Sequence, residues 1–169
     1  MLEVQSRDKR GFFILPQASE GAGYYVYGNL HHMPSSGHLA QYAYPSMLSL
    51  IFYIAREWQA IDDGKFDIGN ISIAGGLGYD KHVSHRKGIE MDLRPMRKDK
   101  LEGQSARVSR FDDVHDRNAT IKLIRLFLQH PMATTVFFND GEVQKMIAGG
   151  PVRSLKGHDD HLQLEIREH

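Results

Sequence analysis

The chain has 169 residues, with 21 lysines and arginines against 21 aspartates and glutamates, and no cysteine. That length supports one domain with a real core, taken here as residues 1–169, and not two comfortable ones. Zero net charge argues against the basic footprint of a nucleic-acid binder, and the missing cysteines exclude disulfides, thiolate metal sites and a cysteine nucleophile.

In "MLEVQSRDKRGFFILPQ" the apolar run Phe12 to Leu15 is far shorter than the core of a secretory signal. No stretch approaches the roughly 20 apolar residues of a membrane span. The expectation is a protein that works where it is made, or one that reaches its place of action by another route or after losing a leader. The segments "GAGYYVYGN" and "HHMPSSGH" predict short strands and loops around a core, with His31, His32 and His38 at the surface. "YPSMLSLIFYIAREWQA" is the clearest helix: Pro45 suits its first turn, and Met47, Leu50, Ile51, Ile54 and Trp58 recur at helical spacing as a core stripe. "NISIAGG" reads as a buried strand ended by glycines, and "GIEMDLRP" as a strand stopped by Pro95.

Residues 96 to 117 are charged and irregular, which predicts a long surface loop of the kind that carries function or stays unordered. "NATIKLIRLFLQHP" predicts a helix ending at Pro131. "TTVFFND" reads as a strand, "GEVQKMIAGG" as a short helix closed by glycine, and "HLQLEI" as the last strand. This mixture predicts an α+β fold: an antiparallel sheet with flanking helices and long loops.

Two of these strands carry chemistry. Side chains alternate along a strand, so Ile89, Met91 and Leu93 share one face and Glu90, Asp92 and Arg94 the other. Likewise Leu162, Leu164 and Ile166 oppose His161, Gln163 and Glu165. If the strands are neighbours, their polar faces form one wall. His85, in the loop before the first strand, and Asp92 on it supply two donors that zinc accepts. A catalytic zinc takes three protein ligands and keeps one position open, which makes residue 163 the natural third. His161 could then hold or deprotonate the metal-bound water. Glu90 and Glu165 would either orient ligands from behind or face water.

"SHRKGIEMD" fits S-H-x-x-G-x-x-x-D, and "GHDDHLQ" fits G-H-D-x-H-x-H except at its last position. Together with "YYVYGN", "YAYPSM", "AREW" and "HPMATTVFFND", these make the chain resemble the penicillin-insensitive murein endopeptidases of the LAS metallopeptidase group, relatives of lysostaphin and the D-Ala-D-Ala peptidases. The resemblance runs from about Tyr24 to Ile166. It implies an LAS-like fold and a zinc enzyme that cuts the D-alanyl–meso-diaminopimelyl cross-links of peptidoglycan without a covalent intermediate. Its partners would be peptidoglycan peptide stems, and it would act in the periplasm or cell wall. It implies His85 and Asp92 as zinc ligands, His161 as the active-site histidine and His158 as a second histidine in the site. It also implies a further metal position at His82, Asp112 and His115, which would give the 96–117 loop a purpose.

The departure is Gln163, where the family has its third zinc histidine. Zinc prefers imidazole to amide, and loss of even a ligand's supporting partner costs about 10–100-fold in affinity. Three outcomes stand open: Gln163 ligates through its oxygen; His161 or His158 replaces it; or the site is metal-poor and inactive. The corresponding functions are a zinc peptidase of the cell wall, a non-cutting relative that binds peptidoglycan or a protein partner, and a zinc hydrolase of another amide.

Overall fold

A computed structural model of the chain describes residues 7–17, 22–27, 40–78 and 84–168. His31, His32, His38 and His82 lie outside the described residues. The fold is α+β, with three α-helices and small sheets among the described residues.

Short strands open the chain: β1 (Phe13–Ile14), β2 (Tyr24–Val26) and β3 (Tyr42–Ala43). Helix α1 (Pro45–Gln59) follows. Proline, with its fixed φ and missing N–H, starts it without a side-chain cap. Its stripe, Met47, Leu50, Ile51, Ile54 and Trp58, is buried, and the Trp58 indole N–H donates to the Gly64 carbonyl at 2.8 Å. Next comes β4 (Phe66–Ile68), a strand too short for periodicity to reveal. It pairs in parallel with β2, while β1 pairs antiparallel with β3.

The segment expected as a strand from Asn70 is extended but forms no ladder. Ser72 makes an isolated bridge to Gln41, and the chain then turns through a single 3-10 turn at Ala74–Gly76. Gly75 and Gly76, both at positive φ, supply a conformation that strand residues avoid.

The sheet that carries the site contains β5 (Glu90–Leu93), β6 (Ala133–Phe137), β7 (Val152–Arg153) and β8 (Leu162–Ile166), in the order β5-β8-β6-β7. Its β5–β8 and β6–β8 pairs are antiparallel, but β7 runs parallel to β6, so the sheet is mixed rather than purely antiparallel. Between β6 and β7 lies α3 (Gly141–Met146), capped by Asp140, which accepts from Glu142 N and Val143 N. The return through a helix is what allows two successive strands to run parallel. Helix α2 (Arg117–Gln129) is capped by Asp116, whose side chain accepts from Ala119 N, and it ends just before Pro131.

Met91, Leu93, Leu162 and Leu164 pack with Ile54, Trp58, Phe66, Ile124 and Phe127 in one hydrophobic cluster. Burying side chains of this size contributes about 1.5–3 kcal/mol each, and the cluster fixes which face of β5 and β8 turns away from it. The 96–117 loop is stitched at its base. Lys98 N donates to Val114 O at 2.8 Å, Asp116 N donates to Met96 O at 2.8 Å, and Arg97 bridges His115.

Candidate functional site

β5 and β8 lie side by side, with Asp92 directly opposite Gln163 and Glu90 opposite Glu165. Cross-strand partners bring their Cβ atoms within about 5 Å, so these four polar side chains form one patch on the face away from the core. That face is not solvated. Asp92 is 4% exposed and Gln163 6%. Its cover comes from far along the chain. Gly69 N donates to Asp92 O at 2.7 Å and Asp92 N to Asn70 O at 2.9 Å, so the 69–70 segment lies against the outer edge of β5. The Asn70 side chain donates to Asp92 Oδ2 at 3.3 Å.

His85 completes the lid over Asp92. Its Nδ1 stands 3.1 Å from the Ile71 carbonyl, which fixes the proton on that nitrogen. Its Nε2 is thereby aimed at Asp92 Oδ1, 3.1 Å away. A backbone carbonyl holding one ring nitrogen while the other faces the site is the arrangement that orients metal-binding imidazoles. Burial is the largest influence on His85 and opposes its charge, but the Asp92 carboxylate, Glu90 and the Ile71 carbonyl together more than offset it, so its pKa is raised. Glu90 moves upward too, chiefly because it is buried.

Gln163 is engaged on both ends of its amide. Oε1 lies 3.3 Å from His158 Nε2, and Nε2 donates to Glu165 Oε1 at 3.3 Å. The His158 and His161 rings lie 4.4 Å apart, centroid to centroid, in the turn that leads into β8. Asp160 holds His161 through Nδ1 at 2.8 Å. Burial lowers the pKa of His161, but the Asp160 hydrogen bond and the charges of Asp92 and Asp160 more than offset it, so the net shift is upward. His161 and Asp92 thus belong to one electrostatic patch.

The remaining expected residues are placed differently. Asp112 is exposed, and its Oδ2 accepts from Ser109 N at 2.6 Å, closing a turn. His115 is buried; Nε2 meets Thr120 Oγ1 at 3.1 Å, and Nδ1 lies 3.9 Å from Asp140 Oδ2. Burial is the largest influence on His115 and lowers its pKa. Its ring therefore pins the loop to α2 and the cap of α3, while His82, the third residue of that expected set, lies outside the described residues.

A second polar cluster continues the same face of β5. Asp67 on β4 is buried and accepts from the backbone N–H of Arg94 and from Tyr25 OH, the latter at 3.2 Å. Burial pushes its carboxyl up to about 7, against the lowering effects of Arg94 and Tyr25. Arg94 stacks on the Tyr27 ring, 3.8 Å from its centroid, and donates to Gly103 O and Gln104 O in the long loop at 2.9 and 3.2 Å. A cavity of about 170 Å³ borders Asp67, walled by Tyr25, Lys65, Arg97 and Lys100. Asn70, Asp67 and Tyr27 were not among the residues singled out by sequence; nothing in "FDIGN" marks residues that will cover a strand more than 20 positions later.

The donor set can be tested against a divalent ion. Two donors each about 2 Å from a tetrahedral zinc stand about 3.3 Å apart; His85 Nε2 and Asp92 Oδ1 stand 3.1 Å apart. The third neighbour, Gln163, offers an amide oxygen, a weak donor. Among the described residues, no three of His, Cys, Asp and Glu converge as a metal site. The residues thus fit such an ion at two positions and weakly at the third. No protein-family model matches the chain, and comparison with curated proteins yields no match. Among the described residues, no helix is long and apolar enough to cross a membrane.

Proposed function

We propose that the chain is a zinc-dependent endopeptidase of the LAS type that hydrolyses the D-alanyl–meso-diaminopimelyl cross-links of peptidoglycan, acting in the periplasm or cell wall. The observation that carries this reading is the buried pair His85 and Asp92, 3.1 Å apart, on the same polar patch as the adjoining histidines His158 and His161.

In this reading His85, Asp92 and the Gln163 amide oxygen hold the ion. Bound zinc supplies an acidified water and polarises the scissile carbonyl. The chain's own groups do the rest. His161, with Nδ1 tied to Asp160, keeps Nε2 as the nitrogen that exchanges a proton with the attacking and leaving groups. His158 lies against it, ring to ring at 4.4 Å. Glu165, through Gln163, and Ile71, through His85, fix the angles of the donors.

One observation favours a second reading. The Gln163 oxygen already lies near His158 Nε2, and its amide nitrogen is committed to Glu165. An amide held this way gives up little of its hydrogen bonding to a metal. The alternative is therefore a weakened or non-cutting relative that binds peptidoglycan or a protein partner.

The test is zinc per chain in the purified protein beside Gln163→His, followed by incubation with cross-linked muropeptides. Near-stoichiometric zinc in both, with release of monomers, supports the peptidase. Zinc in the variant alone refutes a working site in this chain and leaves the binding relative.

A further inference from the structure

We infer that Arg110 and Phe111 form the subsite for the residue on the amine side of the bond to be cut, Arg110 taking a free carboxylate and Phe111 covering an aliphatic arm. The inference rests on the peptidase reading above and goes beyond it by naming what the long loop recognises. The tip of the 96–117 loop docks on the turn that carries the histidines. Arg110 N donates to Asp159 O at 2.8 Å, and Arg110 Nε donates to Asp159 Oδ1 at 2.6 Å. Asp159 sits between His158 and Asp160, the residue that holds His161. The loop tip and the catalytic histidines are thus two sides of one turn.

Arg110 is only half used by this contact. Among the described residues, its Nη1 and Nη2 make no hydrogen bond, although the side chain is 31% exposed and held in place. A guanidinium fixed through Nε presents its two outer nitrogens as a fork that matches a carboxylate. The surrounding acids, Asp92, Glu90, Glu165 and Asp160, would repel an anionic substrate, so a cation at the rim decides whether one can approach.

Phe111 gives the second half. It is 70% exposed, more than any other large apolar side chain among the described residues, and the Arg110 guanidinium carbon lies 3.9 Å from its ring centroid. A lone exposed aromatic is ordinary. This one stands on a loop fastened at its base by the backbone pairs of Lys98 and Asp116 and at its tip by Asp159, with the buried His115 beneath it. A fastened loop that presents an exposed ring, backed by Arg110, beside a candidate site points to contact with a ligand.

Together the fork and the ring fit one substrate feature. In a D-alanyl–diaminopimelyl cross-link, the residue that contributes the amide nitrogen carries a free carboxylate on the adjoining carbon, at the end of an aliphatic arm. Amidation of that carboxylate removes the charge and leaves the arm.

The experiment uses two purified muropeptide dimers, one with that carboxylate free and one with it amidated. Binding to the wild-type protein, Arg110→Gln and Phe111→Ala is measured by titration calorimetry, with chelator present so that nothing is cut. The wild type should favour the free carboxylate by about 10-fold, the worth of a charge-assisted pair. Arg110→Gln should lose that preference, and Phe111→Ala should weaken both dimers alike while keeping it. Equal binding of both dimers by the wild type, or an undiminished preference in Arg110→Gln, overturns the inference while leaving the peptidase reading intact. Should Arg110→Gln fail to fold, unchanged binding by Phe111→Ala overturns the ring's role. Failure of the wild type to bind either dimer removes both the inference and the reading beneath it.

Discussion

Asp67 gives a prediction about stability that is independent of any bound ion. Its carboxyl, buried between β4 and Arg94, is pushed from 3.8 up to about 7. In the unfolded chain the same group ionises near the usual value of about 3.9. Between these two values the folded protein retains a proton that the unfolded chain has released, so rising pH favours unfolding. The stabilisation from Asp67 is complete below about pH 4 and is lost as pH rises through about 7. At about 1.4 kcal/mol per unit, a shift of roughly three units is worth at most about 4 kcal/mol. Arg94 and Tyr25 lie against the carboxylate, and the adjoining cavity admits water, so the measured figure should fall below that ceiling. Asp67→Asn keeps an acceptor for the Arg94 N–H and cannot ionise. Urea unfolding of wild type and variant at pH 4.5, 6.0 and 7.5 isolates the effect as a difference, because contributions from other groups cancel. The variant should gain on the wild type steadily as pH rises, by about 1–3 kcal/mol overall, with an unchanged denaturant slope. Parallel stability profiles would refute the account of Asp67.

Asp92→Ala should leave the protein without bound zinc, measured by metal analysis after purification, and unchanged zinc would overturn its place as a ligand. Trp58→Ala removes a fully buried indole and its hydrogen bond to Gly64; urea unfolding should show a loss of about 3–5 kcal/mol. Asp140→Ala strips the cap of α3, which accepts from Glu142 N and Val143 N, and also the partner of Arg117 at 2.9 Å. That variant should lose about 1–3 kcal/mol in the same assay.

What could be read from sequence followed the strength of each local signal. α1 and α2 carry apolar stripes over several turns and explicit stop signals, and both helices form close to where those signals put them. β5 and β8 alternate cleanly, and the alternation puts Asp92 and Gln163 on one face. β4 and β7 have three and two residues, too few for any period to show. The Asn70–Gly76 segment is apolar enough for a strand, but it spends its backbone groups on scattered partners, Ala40, Tyr42 and Asp92, instead of a single ladder. Alternation says which side chains share a face and nothing about what covers it. The cover on Asp92 comes from Asn70, 22 positions away, and the anchor of the long loop joins Arg110 to Asp159 across 49. Contacts of that kind are set by the packed core, and no local pattern encodes them.

The geometry also bears on what the glutamine does. A histidine at position 163 would present one nitrogen to the site and one to Glu165, the partner that keeps a metal-binding ring oriented. Gln163 keeps the second contact, since its amide nitrogen donates to Glu165 Oε1. Glu165 therefore serves the amide as it would serve an imidazole, and the two side chains would differ in the donor atom turned to the site, oxygen in place of nitrogen. Glu165, Asn70, the Ile71 carbonyl and Asp160 hold Gln163, Asp92, His85 and His161 respectively, so each of these side chains is fixed by a partner of its own. An amide oxygen beside the Asp92 carboxylate also shifts the balance of the site toward harder cations than zinc. Metal analysis of the wild type should therefore include manganese beside zinc: zinc alone at full occupancy would mean that His85 governs selectivity, while manganese in preference would mean that Gln163 does.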